Sequence, residues 1–447
     1  MATKNRSVDH AVSIAPLVSF RIGFGLLMFF SLLRFYWRGW VTAVYVLPKF
    51  HFTYLGFEWV RPLGNTGMHI LFLLVTISAL LIALGLFYRL SAVIFFLGFT
   101  YIELIDVTTY LNHYYFISLV AFMMIWLPAA ADYSIDVRLQ PQKRRLLVPL
   151  WTIGILRFQL AVVYVFAGLA KLNTDWLLHA EPMKTWLPGK SDLPIVGKYM
   201  YESLVPWFFS WFGAAYDLFI VFFLLNKKTR PIAYLFVLVF HIATAIFFPG
   251  IGMFPYVMIT CSLIFFSGSF HEKLLAWLPF YKTRKLLPES KDSFRFQYFK
   301  VIKYCVVVYL MAQVLIPLRF LLYPGHLFWN EEGYRFSWRV MLMEKSGATY
   351  FTVKDKTGRQ HYEVDNKAYL TPLQEKMMST QPDMILKYAH YLAKEYAKKG
   401  IDQPAVYGEI YVSLNGERSR LFIDSTVNLA AEPLSWRHYS WVLPYGK

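Results

Sequence analysis

Nine stretches of this chain stay apolar for about 20 residues each, the length an α-helix needs to cross the ~30 Å hydrocarbon core of a bilayer. They fall at roughly 14–33, 67–88, 90–108, 114–130, 150–170, 205–225, 230–248, 251–267 and 300–322. The fourth and eighth are short, and little more than Arg89 separates the second from the third, so eight or nine spans are expected. Backbone N–H and C=O groups in lipid must be satisfied within the segment, so these runs predict a polytopic α-helical membrane protein. Composition agrees: 57% hydrophobic residues, 19% aromatic residues and a mean hydropathy of +0.40 exceed the needs of one soluble core.

A net charge of +17 would suggest nucleic acid in a soluble chain. Here the basic residues lie in short loops between apolar runs, so the expected partner is the lipid bilayer, not nucleic acid. Lys4 and Arg6, Arg89, the cluster Arg138, Lys143, Arg144 and Arg145, the cluster Lys227, Lys228 and Arg230, and the stretch from Lys273 to Lys300 fall on alternate loops. Those loops are predicted to be cytoplasmic, with the N-terminus inside and the C-terminal part outside. The first apolar run lacks a small-residue cleavage site and reads as a retained signal anchor. Cys261 and Cys305 both lie in apolar runs and imply neither a disulfide framework nor a thiolate metal site. No HExxH, CxxC, GxSxG or Walker pattern occurs, and GIGMFP is not a phosphate loop, so no metal is expected.

After about residue 323 the composition becomes that of a soluble α+β domain, dividing the chain into 1–322 and 323–447. WRVMLME, ATYFTVK and RQHYEV alternate in polarity and predict a three-stranded meander. Thr371 is a candidate N-cap, and a helix follows with Pro382 in its first turn and Gly400 as its stop. Asn415-Gly416 between YGEIYVSL and RSRLFID is a hairpin signal. Between the first two spans, HFTYLGFEWVRPLG suits an interfacial or re-entrant segment.

Ionisable and strongly polar residues inside apolar spans are costly and invite explanation. They are Arg21, Glu103, Asp106, Arg157, Gln159, Asp217 and His241. Pairing that fixes helix packing accounts for any one of them; seven in one bundle favour a polar cavity. Lys171 closes the apolar run LRFQLAVVYVFAGLAKLNTDW. Low dielectric disfavours an ammonium, so an amine held there can serve as a base, whereas a lysine at a helix end can also simply snorkel to the interface. His113, in LNHYY at the junction of the third and fourth spans, is either a capping group or a catalytic one.

PLWTIGILRFQLAVVYVFAGLAKLNTDW, with LGLFYRLSAVIFF, IDVTTYLNHYY, FHIATAIFFPGIGMFPYVM and YRFSWRVML, resembles the vitamin K-dependent gamma-carboxylase family, whose membrane module is the horizontally transferred transmembrane (HTTM) domain. The likeness runs in order through nearly the whole chain. It implies an enzyme that uses reduced vitamin K, a naphthohydroquinone, with dioxygen and carbon dioxide as co-substrates and no metal. Lys171 would be the base that deprotonates the hydroquinone. The oxygenated quinone species would then remove a glutamyl γ-proton, carbon dioxide would add to the carbanion, and the quinone would leave as its epoxide. His113 is implied as catalytic, and Asn112, His241, Met253, Phe254 and Tyr256 as quinone-binding. Trp338 and Tyr334 are implied as contacts of a Glu-containing peptide. Arg21, Asp106, Arg157, Gln159, Asp217 and Asp175 are left as structural polar groups. The resemblance points to a bacterial inner membrane with the site facing the periplasm, or to an ER membrane of equivalent topology. Ala170 stands where the animal enzyme has a second lysine, and Met343 and Gly347 replace histidines of the family pattern. Two other readings are quinone oxidation without carboxylation and a non-catalytic quinone- or lipid-binding protein.

Overall fold

The computed structural model describes residues 10–278, 293–294 and 296–446; Lys4, Arg6 and most of the basic stretch between Lys273 and Lys300 lie outside the described residues. Among the described residues, seven helices are long and apolar enough to cross a membrane: α1 (Ala15–Trp37), α2 (Gly64–Leu84), α3 (Tyr88–Ile105), α5 (Trp151–Ala170), α6 (Val205–Leu225), α7 (Arg230–Phe247) and α10 (Phe299–Leu318), the last continuing in a 3-10 turn to Leu322. The two short candidates are helices too. The fourth is α4 (Asn112–Trp126), whose 15 residues rise about 22 Å, and the eighth is α8 (Phe254–Ser262). After α8 the chain turns by 118° into α9 (Gly268–Ala276). Neither α4 nor α8 fills a bilayer by itself, and the site described below lies where both begin.

The intramembrane polar groups explain how the bundle holds its shape. Arg157 on α5 donates to the carbonyls of Ile264, Phe265 and Phe266, which the break after α8 leaves without helical partners. Gln159 joins α5 to α10 through Gln313 at 3.3 Å and Tyr309 at 2.5 Å. Arg21 on α1 donates to the Tyr133 carbonyl at the end of the bundle where α2 turns into α3. A two-stranded antiparallel sheet at that same end pairs β1 (Ala11–Ser13) with β2 (Leu147–Pro149).

At the opposite end sits the α+β region. Its antiparallel sheet has the order β4-β3-β5-β6: β3 is Lys345–Lys354, β4 His361–Glu363, β5 Ala405–Leu414 and β6 Arg420–Leu421. Helices α11 (Pro372–Met378) and α12 (Pro382–Lys398) accompany it. Thr371 caps α11 in a reciprocal capping box with Gln374, and Gly400 ends the second helix at φ +92°. Asn415 and Gly416 both take positive φ in the turn that joins β5 to β6.

One expected strand is absent. Trp338–Glu344 alternates in polarity yet forms irregular backbone, with left-handed residues at Trp338 (φ +60°) and Met341 (φ +54°) that no extended strand can contain. The segment HFTYLGFEWVRPLG, read as interfacial or re-entrant, begins against the α+β region. Phe50 stacks on Tyr391, its carbonyl accepts from Gln374, and the Thr53 carbonyl accepts from Lys387, so it is the platform on which α11 and α12 rest. Asp106 adds a second tie, accepting from Gln374 at 3.0 Å and pairing with His51 at 3.0 Å.

Candidate functional site: two cavities with a shared wall

The close approach of α5 and α6 begins at Gly168. A Cβ there would lie 2.6 Å from the Leu218 backbone nitrogen, so only glycine allows this contact. One turn later, Lys171 caps α5 and its Nζ meets Asp217 Oδ2 of α6 at 2.6 Å. Both side chains are buried, at 7% and 10% exposure, so this is an ion pair held largely out of water. Asn173 fixes the turn beyond the lysine. Its amide donates to the Ala170 carbonyl, while its oxygen caps the short helix Thr174–Leu178 by accepting from the Trp176 N–H. Trp176 in turn donates its indole N–H to the Ser210 carbonyl, and its ring lies 5.2 Å from Lys171 Nζ.

Lys171 and Asp217 open onto a cavity of 390 Å³ whose other walls are largely apolar and rich in aromatic rings, among them Phe209, Phe212, Phe240 and Phe247. Phe212 and Phe236 also line a 400 Å³ groove between α6 and α7. On the other side lies a larger chamber of 970 Å³ under the α+β region. Phe248, Ile251, Phe254, Val340 and Met341 line both cavity and chamber, and so form the wall between them. Three come from the stretch entering α8 and two from the irregular segment where a strand was expected.

That segment is held from both sides. Its Phe336 N–H donates to the Tyr110 hydroxyl, its Arg339 carbonyl accepts from Asn112, and Arg335 pairs with Asp383 at 2.6 Å. Burial opposes the charge on Asp383, but Arg335 outweighs it and holds the carboxyl below its ordinary range. Positive φ at Glu331, Phe336, Trp338 and Met341 is costly backbone that persists because these contacts over-determine it.

His113, buried at the start of α4, lines the chamber, and its Nε2 has no hydrogen-bond partner among the described residues. Phe254 lines both compartments and lies 6.0 Å from the His113 ring. Tyr334 lines the chamber as well. The other implied contacts stand elsewhere. Asn112 faces the chamber, but its amide is committed to the Arg339 carbonyl and its oxygen accepts from Tyr110. His241 is fully buried behind Phe254, bonded to the Tyr164 hydroxyl at 3.1 Å. The Met253 sulfur is engaged by Ser31. Tyr256 is 53% exposed on the outside of the bundle, because two residues along a helix rotate it about 200° from Phe254. Trp338 lines neither compartment; it is buried against Tyr115 at 5.0 Å. Asp217, read from the sequence as structural, is the partner of Lys171. Asp175 accepts from Asn415 at 2.8 Å, fastening the loop after Lys171 to the β5–β6 turn.

Lys171 and His113 therefore stand in adjoining compartments. The first is an apolar cavity that can admit a lipid-soluble molecule, and the second a chamber lined in part by basic side chains that can admit a polar one. Comparison of the sequence with known families places it more closely. The HTTM domain matches residues 9–270, and the vitamin K-dependent gamma-carboxylase lumenal domain matches residues 298–447. The chain belongs to the vitamin K-dependent gamma-carboxylase family and is an integral membrane protein of that kind. No solved structure matches it.

Proposed function

We propose that this protein couples oxygenation of a reduced naphthoquinone in the apolar cavity to carboxylation of a peptide glutamate in the chamber. The observation that carries the reading is the shared wall, with the Lys171–Asp217 pair on one side and the unpartnered His113 nitrogen on the other. A flat aromatic ring suits the phenylalanine-lined cavity, and its hydroxyl would find there one ion pair. The α6–α7 groove suits the prenyl tail of such a quinone. When bound, reduced vitamin K supplies with dioxygen the basicity that removes a glutamyl γ-proton, after which carbon dioxide takes the vacated position on carbon.

Lys171 and Asp217 carry no net charge together. With their shared proton on Asp217, the Lys171 amine receives the proton of a phenolic hydroxyl, leaving ammonium and carboxylic acid, a net positive charge beside a phenolate. His113 lines the chamber, and its ring carries an unpartnered Nε2 that a neutral imidazole can use to donate or accept. The apolar wall keeps the water of the chamber from the quinone cavity. We further take 1–322 as the membrane domain and 323–447 as the outer domain. On this reading the end bearing Arg89, Arg138 and Lys227 is cytoplasmic, and the chamber faces a periplasm or an ER lumen.

The test is purified protein given reduced vitamin K, dioxygen, labelled bicarbonate and a Glu-containing peptide, with epoxide and fixed label both measured. Label in the peptide is the expected result. Met343 and Gly347, in place of family histidines, favour as second reading a quinone oxidation with another acceptor, which would give epoxide and no label. Neither product would overturn both.

A further inference from the structure

The cations around the chamber are not equivalent. Arg335 is neutralised by Asp383 at 2.6 Å, and Lys345 by Glu331 at 2.8 Å. Lys376 is exposed and Lys190 partly so, and both can be solvated. Arg339 is 9% exposed, and among the described residues no carboxylate or hydrogen-bond acceptor reaches its guanidinium; its Nε is buried without a partner. The Phe320 ring lies 4.3 Å from the guanidinium carbon. A buried cation without a counter-charge is costly, and the chamber it lines is where an anion can complete it.

We propose that Arg339 binds the carboxylate of the acceptor side chain, which makes it the residue that selects an acidic peptide. This rests on the reading given under Proposed function. The placement is specific. Asn112 clamps the Arg339 carbonyl at 2.7 Å, fixing its backbone to the start of α4 beside His113. The next two residues, Val340 and Met341, are wall residues. A planar guanidinium can take both oxygens of a carboxylate, setting the adjacent methylene against the wall. When the C–H bond at that carbon breaks and its proton leaves toward the quinone side, the electron pair delocalises onto the carboxylate oxygens, and the same guanidinium stabilises the added charge.

The test uses the full-length protein in nanodiscs and a fluorescent, C-terminally amidated peptide carrying a single Glu, with its Gln counterpart and a free-carboxylate Gln peptide as controls. In the wild type, anaerobic anisotropy titration should show tighter binding of the Glu peptide than of the amidated Gln peptide. Arg339→Gln should remove that preference, weakening the Glu peptide roughly ten- to hundredfold, the usual size of a charge-assisted contact. Arg339→Lys should recover part of it. In turnover, Arg339→Gln should raise the KM for peptide and lower the rate at which label enters it. Unaltered Glu-over-Gln preference in Arg339→Gln would overturn the proposal, as would a preference that follows only a free C-terminal carboxylate. Because binding is read anaerobically, absence of quinone turnover in the wild type would count against the proposed reaction while leaving this result legible.

Discussion

Replacing Lys171 by methionine removes the cation of a buried pair while nearly preserving its volume. At 2.6 Å the two charges attract by about 6 kcal/mol if the effective dielectric is ~20. Desolvation of each ion costs several kcal/mol and offsets most of that. The pair as a whole is therefore close to neutral for stability, but leaving Asp217 alone should cost about 3–5 kcal/mol. Lys171→Met should thus unfold at markedly lower temperature or denaturant, and Lys171→Met with Asp217→Leu should recover most of the loss. Lys171→Arg separates charge from basicity: the ion pair remains, while a guanidinium cannot deprotonate. It should keep near wild-type stability and quinone binding, and lose epoxide formation by about 10²–10⁴-fold. Thermal unfolding in nanodiscs and single-turnover epoxide assays read the two effects separately. Equal stability of wild type and Lys171→Met would refute the pair energetics, and full turnover by Lys171→Arg would refute the base.

Gly168→Ala should act at a distance: its methyl would meet the Leu218 backbone, part α5 from α6 and reduce epoxide formation with no substrate contact touched, visible as a fall in kcat with a lowered melting temperature. Ala215→Phe, in the α6–α7 groove, should raise the KM of long-tailed quinones and leave tail-less naphthohydroquinone unaffected; equal effects on both would remove the groove from the site. Arg335–Asp383 should hold the outer region through neutral pH. Because Asp383 titrates below its ordinary value when folded, its stabilising contribution is full above the unfolded carboxylate pKa of about 4 and fades as pH falls through the lower folded value. Asp383→Asn should remove that acid limb from a pH series of unfolding midpoints.

The spans were legible because hydropathy over about 20 residues is a strong signal, and the capping box at Thr371 and the Asn415-Gly416 turn were legible because their chemistry is local. Trp338–Glu344 misled because alternation alone cannot show a backbone bent by contacts from Tyr110 and Asn112, more than 200 residues away in sequence. Lys171 and Asp217 were both visible as anomalies, each in its own span. Their pairing was not, since it depends on the α5–α6 approach that Gly168 permits. Tyr256 shows the opposite error: a residue inside a matching stretch need not face the site when its neighbour does.

The five-residue wall has a kinetic meaning. On the proposed reading, one reactant comes from lipid through the α6–α7 side and the other from water through the chamber, so neither blocks the other's path. Binding should follow no compulsory order. An apolar quinone analogue should compete with quinone and lower only the maximal rate toward peptide, whereas an acidic peptide mimic should show the reverse pattern. Bulk at Phe254 should lower the yield of peptide product per quinone consumed, making this side chain a determinant of stoichiometry.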